Sequence, residues 1–404
     1  MGPLSGIRVL DLSRVIAGPY GSMLLADLGA EVIKVETPEG DISRVSAGPT
    51  HKGENFYYLA FNRNKKDIAL DLLTESGKQA IYDLVKVSDV VWNNFRAGSM
   101  ERLGFSYEKL SEINPRLIYC SITGYGPTGP AKDRPAYDIA VLAASGVLSV
   151  TGEPDGRPVR PGVPIADEAA GMFGVIGVLA ALAERAGTGK GKRVDISMMD
   201  ACISLLCYPL TYYFTTGIVP KPRSNSGHLI LVPYGIFKTR QGYVALGVCW
   251  PRITRAIGAE WLAEDPRFKD LKARQEHQDE LNQLIEQYLA QADADDWVEL
   301  FKVEDIAAAK VASLDEVAAD PQVAHQKMII EMEHPLGGSI RLAGNPVKMA
   351  GISETEYTAP PVLNQHEHEI LSGLLGYSRE QIEALTDEAR RNAADRLQHI
   401  QKVL

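Results

Sequence analysis

The sequence predicts an α/β fold, in which a larger domain built on a parallel sheet is joined to a smaller α+β domain. Three observations predict it. Short β-branched runs alternate with helically spaced segments through the first third of the chain. The texture changes at Pro220, where a loop leads into a hairpin pattern and then a charged helical region. β character returns near Gly337, which marks a segment that rejoins the first domain.

Taken in order, the first strand is Gly6–Ser13 (GIRVLDLS), followed by a helix on AGPYGSMLLADLGA and a second strand, Ala30–Glu36, ending on an acid. Asp67–Leu72 is the third strand, Glu75–Val85 a helix, and Asp89–Asn94 and Leu117–Tyr125 two further strands. Strands separated by helices form right-handed βαβ units, so the sheet is parallel and Rossmann-like. Ligands of such sheets sit at the carboxyl ends of the strands, near the point where strand order reverses. The glycine fingerprint of dinucleotide binding is absent, because Ser13-Arg14-Val15-Ile16-Ala17-Gly18-Pro19 follows the first strand. TGKGKR (Thr188–Arg193) also fails the phosphate-loop pattern, since no Ser or Thr follows the lysine, and reads as a turn before a strand. Lys221–His228 is a loop, and PYGIFKTRQGYVALGV is a hairpin turning at Arg240-Gln241-Gly242. The helical region covers 250–319, and the tail from His366 is helical and polar. The expected division is a large domain over 1–200, a linker over 201–224, a small domain over 225–325, and a return into the large domain over 326–404.

Composition narrows the function. The chain has 404 residues, with 42 Lys+Arg against 52 Asp+Glu and a net charge of −10. That field repels nucleic acid and anionic lipid, so neither is an expected partner, and an anionic ligand needs a local cluster of cations. Four cysteines without a CxxC pair argue against a disulfide scaffold and a zinc site. With no leader pattern read at the N-terminus, the expected location is the cytoplasm. The apolar run Ala169–Ala183 is 15 residues long. A bilayer span needs about 20, so it reads as a buried helix.

The densest chemistry lies around Asp167, between a Pro/Gly-rich extended segment and that apolar helix. An aspartate there has two readings. It is a favoured N-cap, worth about 1 kcal/mol. It is also a carboxylate held ionised by helix donors and able to act as nucleophile or base. Position alone leaves both open. Asp195 and Asp200 read as structural, Asp155-Gly156 as a hairpin turn, and His366 and His368 as surface residues rather than metal ligands. His228 is a candidate substrate contact.

The motifs together resemble the family III CoA-transferases. They are GIRVLDLSRVIAGPYGSMLLADLGAEVIKVE, GENFYYLAFNRNKKDIALDL, NNFRAGSMERLGFSYEKLSEINPRLIYCSITGYGPTGP, the AYD segment, TGKGKRVDISMMDA, PYGIFKT and NQHEHEIL, in order across essentially the whole chain. The resemblance implies that Asp167 is the acyl acceptor. It would attack a donor thioester to form a mixed anhydride, which CoA thiolate converts to an aspartyl-CoA thioester. CoA thioesters would be substrates, and no tightly bound cofactor or metal is implied. The CoA contacts carried over are Val15, Ile16 and Ala17, Leu70, Leu72 and Leu73 beside the adenine, Asn94, Phe95 and Arg96, Arg102, and Tyr137. Two positions depart from some relatives, with Thr37 and Leu73 standing where a basic residue is found. Small residues near Asp167 would leave room for substrate.

Tyr137 separates two activities of the fold. The racemases that resemble this chain carry His where it has Tyr137, and two-base proton transfer needs a group titrating near neutrality. Transfer is therefore favoured, with a racemase-like enzyme or a CoA-binding subunit of a heteromer as alternatives. Members form interlocked dimers, so the expected partner is a second copy or a related subunit. The expected donor is succinyl-CoA. The glycine flap of oxalate-using members is missing, and Tyr208, Tyr212 and Tyr213 fit a larger dicarboxylate, aromatic ones included. Arg14, Arg44, Arg157 and Arg160 are candidates for its free carboxylate.

Overall fold

Six short segments become six parallel strands. They are β1 (Arg8–Asp11), β2 (Glu31–Glu36), β3 (Lys65–Ala69), β4 (Val90–Asn93), β5 (Ile118–Thr123) and β6 (Arg193–Ser197), in the order β3-β2-β1-β4-β5-β6. The computed structural model describes residues 2–46, 48–350 and 356–392. Every residue of β4 and β5 is buried, which is why these segments read as unbroken apolar runs. Strand order reverses between β1 and β4, where Val9 pairs with Val32 on one side and Val90 on the other. A ligand crevice belongs at that reversal, outside the carboxyl ends.

The third strand begins two residues earlier than its sequence advertised. Lys65 and Lys66 belong to it, and Leu70–Leu72 lie beyond its end. Charge disguised these positions. Lys65 is fully buried, donating to the Asp11 carboxylate, the Pro19 carbonyl and Asn62, and Lys66 pairs with Glu31 at 2.6 Å. β3 is an edge strand, and the return segment covers it. His366 donates its N–H to the Asp67 carbonyl while its Nδ1 accepts from Asp67, and the Asn364 side chain accepts from Ala69. His366 is thus half-buried and structural rather than a surface residue. The covering occupies the outer edge of β3 at Asp67 and Ala69.

The chain forms two units. The larger comprises Met1–Val141, Val163–Cys202 and Pro321–Leu404, and the smaller comprises Leu142–Gly162 and Ile203–Asp320. Residues 142–162, expected within the large domain, pack instead with the second unit. In the larger unit the main helices are α1 (Ala17–Asp27), α2 (Glu75–Lys86), α3 (Asp138–Ala144, which begins in this unit) and α4 (Ile165–Thr188). The smaller unit has its own core, in which Phe237, Val244, Phe268, Leu281, Ile285 and Phe301 are fully buried. It contains the expected hairpin, β7 (Gly235–Lys238) and β8 (Tyr243–Leu246), to which β9 (Ala308–Lys310) adds a third strand that the sequence had not signalled. Asp155-Gly156 forms a turn without flanking strands, closed by the Gly156 N–H on the Glu153 carbonyl. In the return segment β10 (Ile329–His334) and β11 (Gly338–Ala343) form a hairpin of their own. The tail helix α5 (Arg379–Arg391) places Leu385 in the core of the larger unit, and 393–404 lie outside the described residues.

α4 is the one helix among the described residues long and apolar enough to cross a membrane. In the fold it packs on α1 and on β5 and β6. Its glycines make that contact close. A Cβ on Gly171 would stand 2.7 Å from the Ala17 carbonyl oxygen, and one on Gly174 would stand 2.6 Å from the Trp92 ring. Gly171 and Gly174 therefore serve helix packing. Gly171→Ala is expected to cost about 1–3 kcal/mol by overpacking, read as a lowered thermal midpoint. An unchanged midpoint would show that the two helices can part without penalty.

Candidate active site

The carboxyl ends of the strands collect most of the predicted residues. After β1 the chain turns through Val15, whose φ of 68° is left-handed and strained for a β-branched residue. Three groups hold it there. The Val15 N–H donates to both oxygens of Asp41, at 3.2 and 3.3 Å. Lys34, fully buried in β2, donates to Asp41 at 3.0 Å and to the Ser13 carbonyl at 2.8 Å. Asn94 is latched to Arg14 from both sides, accepting its N–H at 2.9 Å and donating to its carbonyl at 2.8 Å. The predicted turn Val15–Ala17 and the predicted segment Asn94–Arg96 are thereby neighbours, with the Arg14 guanidinium 5.4 Å from the Phe95 ring.

The electrostatics beneath this turn are those of a buried network. Burial alone would raise the Asp11 carboxyl, but Lys65 and Lys34 nearby and hydrogen bonds from Ser13 and Ser22 hold it below its ordinary value. Burial pushes Lys65 down to about 8 against the pull of Asp11. Lys34 goes the other way, because Asp41, Glu36 and Asp11 outweigh its desolvation and keep it protonated. Arg44, expected as a carboxylate-binding residue, is committed to this network. It forms a two-pronged pair with Glu36, bonds Glu54, and lies 3.5 Å from the centre of the Tyr58 ring.

Beside Phe95 opens a cavity of about 540 Å³ that starts at the end of β4 and runs along Tyr119, Ser121 and Thr123 of β5 to Arg193 and Asp195 in the first half of β6. Phe95, Arg96 and Arg102 line it, as do Lys132 and Arg193, which the sequence reading missed. Arg102 is fixed by its bond to Ser99, and Arg193 pairs with Asp195 at 2.8 Å. Asp195 therefore faces this cavity from within β6. Arg193 had a signal in the alternation of RVDIS, whereas Lys132 lies in a loop with none. Glu101 and Asp133 line the cavity as well, so its four cations stand beside three acids; guanidinium and ammonium groups next to an aromatic wall suit a phosphorylated nucleotide.

The remaining predicted residues divide by exposure. Leu70 is completely buried with Leu10 and Ile33, so its side chain faces the core and only its backbone is left for a ligand. Leu72 is half-buried against the same core as Phe95, and Leu73 donates its N–H to Asp71. Ile16 and Ala17 are buried too, leaving backbone and Val15 at the surface of the turn. Thr37 bonds the Gly40 carbonyl and stays a turn residue. Tyr137 is 68% exposed.

Asp167 is half-buried in the first turn of α4. It is not the N-cap. Pro164 holds that position and offers no side-chain acceptor. The orphan donor is satisfied from elsewhere, since the buried Asp138 accepts the Ala166 N–H at 3.0 Å. Burial, and then the Asp138 charge, push the neighbouring Glu168 carboxyl up. His228, in the smaller unit, stacks on Tyr208 and accepts the Ile230 and Leu231 N–H groups at Nδ1, which leaves Nε2 as the ring's other polar atom. Among the described residues no group of acids, histidines and cysteines is arranged to hold a metal.

The architecture and the sequence find the same relatives. A family model described as CoA-transferase family III matches residues 4–367. The chain is 36% identical over 390 residues to the mouse (Mus musculus) succinyl-CoA:glutarate CoA-transferase, covering 95% of this chain and 89% of that protein. It is 36% identical over 384 residues to the succinate–glutarate CoA-transferase of Agrobacterium fabrum, covering 92% and 96%. The crystal structure of a CAIB/BAIF family protein from Brucella suis superposes with a TM-score of 0.83 at 35% identity, covering 92% of this chain and 99% of that one. With a 3-2-1-4-5-6 parallel sheet, a cavity beside Phe95 that gathers Arg96, Arg102, Lys132 and Arg193, and these relatives along nearly its whole length, the chain belongs to CoA-transferase family III and is an enzyme of that class.

Proposed function

We propose that the protein moves CoA from succinyl-CoA to a second dicarboxylate through covalent intermediates on Asp167. The observation that carries this reading is the half-buried Asp167 carboxylate in the first turn of α4, at a helix start whose polarity favours an anion. Asp167 attacks the succinyl carbonyl and expels CoA thiolate, leaving a mixed anhydride. The thiolate attacks the aspartyl carbonyl, releasing succinate and leaving an aspartyl-CoA thioester. The acceptor carboxylate then attacks that thioester, and the expelled thiolate takes the acyl group from the new anhydride, restoring Asp167. Both intermediates hydrolyse readily, so the site must exclude water.

Arg96, Arg102, Lys132 and Arg193 supply the local cations that a chain of net charge −10 needs for the CoA phosphates. The names of the mouse and Agrobacterium relatives support a glutarate-sized acceptor. A dimer is the assembly we favour. Met172 and Ile176, four residues apart on α4, are 44% and 59% exposed, and a second copy would cover that apolar stripe.

Incubation with succinyl-CoA followed by peptide mass spectrometry tests the proposal. A succinyl or CoA adduct is expected on the peptide bearing Asp167, discharged by glutarate; turnover with that peptide never modified would refute the mechanism. Arg102→Ala is expected to raise KM for succinyl-CoA about 10- to 100-fold, because a hydrogen bond to a charged group contributes about 1.5–3 kcal/mol. The effect should shrink for a CoA analogue lacking the phosphate concerned, and an unchanged KM would remove Arg102 from the binding site.

A further inference from the structure

We propose that Asp138 is a positioning residue for Asp167, an inference that rests on the reading of Asp167 as nucleophile. The hydrogen bond from Ala166 to Asp138 joins two places 28 residues apart in sequence. On one side Asp138 follows Tyr137, whose carbonyl accepts the N–H groups of Ala140 and Val141, so Asp138 lies within the first turn of α3. On the other side Ala166 immediately precedes Asp167. A single buried carboxylate thus fastens the helix start that carries one predicted substrate contact to the helix start that carries the nucleophile.

The path between them makes the fastening necessary. The chain leaves the larger unit after Val141 and re-enters it at Val163. The Asp138–Ala166 bond closes the base of that excursion. Behind it, Gly171 holds α4 against the Ala17 carbonyl, which fixes the helix one turn beyond Asp167. In front of it, Pro164 gives the helix no side-chain cap. Asp138 therefore supplies the forward anchor, and it does so as a 6% exposed acceptor.

Asp138→Ala should free the first turn of α4. A displacement of about 1 Å at a nucleophile costs on the order of 100-fold, so kcat is expected to fall by about that factor. KM for succinyl-CoA should stay within about threefold, because the cations of the cavity are untouched. Asp138→Asn keeps an oxygen acceptor at the same place and should remain within about fivefold of the unmodified enzyme. A purely structural role would lower stability in both variants without this split. Should Asp138→Ala fail to fold, amide exchange of the unmodified protein decides: Ala166 is expected to be protected, and exchange as fast as in a frayed helix end would overturn the proposal. Equal damage in the Asn and Ala variants would also overturn it. The Asp167 adduct separates the two levels. If the unmodified enzyme forms none, the nucleophile reading fails and the inference with it. If Asp138→Ala forms it at the unmodified rate, the inference alone fails.

Discussion

Asp167→Ala and Asp167→Asn are both expected to lose CoA transfer by about 10⁴-fold or more, the scale of removing a covalent nucleophile. The asparagine variant is the sharper of the two. It keeps the shape and polarity of the side chain in the first turn of α4, so only the capacity to form an anhydride is removed. Stability should change little, within about 1 kcal/mol. The reason is specific to this fold: the helix start depends on Asp138, which accepts the Ala166 N–H, and on Gly171 packed against Ala17. Loss of activity with an unchanged thermal midpoint is the expected pair of results. Asp167→Glu extends the carboxylate by one methylene and should lose about 100-fold through misplacement. Retained transfer in the asparagine variant would eliminate every covalent step assigned to Asp167.

The middle of the sheet was legible because β4 and β5 are buried on both faces. VVWN and IYCSIT contain no exposed position, so hydrophobicity alone located β4 and β5. β3 was misplaced by two residues because Lys65 is a buried charge, and a pattern of apolar residues cannot represent a lysine satisfied by Asp11 and Asn62. The site was legible where a residue acts by its own identity, as with Asp167 or Arg102. It was not legible where one residue acts through another. Nothing in the order of residues says that Asp138 caps a helix 28 residues on, or that Arg44 is spent on Glu36, Glu54 and Tyr58. Lys34 did carry a signal, as a charge set between Ile33 and Val35 in the middle of a strand. Such a lysine is either exposed on one face of a sheet or paired inside it. In a parallel sheet covered on both faces, pairing is the outcome.

Lys34→Met should therefore be among the most damaging substitutions outside the nucleophile. Both members of the Lys34–Asp41 pair are buried, with side-chain exposures of 0% and 1%. Removing one partner of such a pair typically costs about 3–5 kcal/mol, because the other charge stays buried without compensation. Here the orphaned carboxylate also works for the site. Asp41 accepts the N–H of Val15 and, at 2.9 Å, that of Ser43, so its displacement reaches the turn after β1. Val15 pays about 1–3 kcal/mol for its left-handed backbone and keeps it only while its surroundings dictate it. Once Asp41 moves toward water, the turn is free to relax and the backbone of Val15–Ala17 leaves its position beside Asn94. The expected result is a drop in chemical denaturation midpoint together with a KM for succinyl-CoA raised about tenfold or more. Lys34→Met combined with Asp41→Asn supplies the control. With both charges gone the stability cost should be smaller than the sum of the single costs, since no unpaired ion is left inside. Additive costs, or a single variant with an unchanged midpoint, would mean that the pair is not what holds the turn.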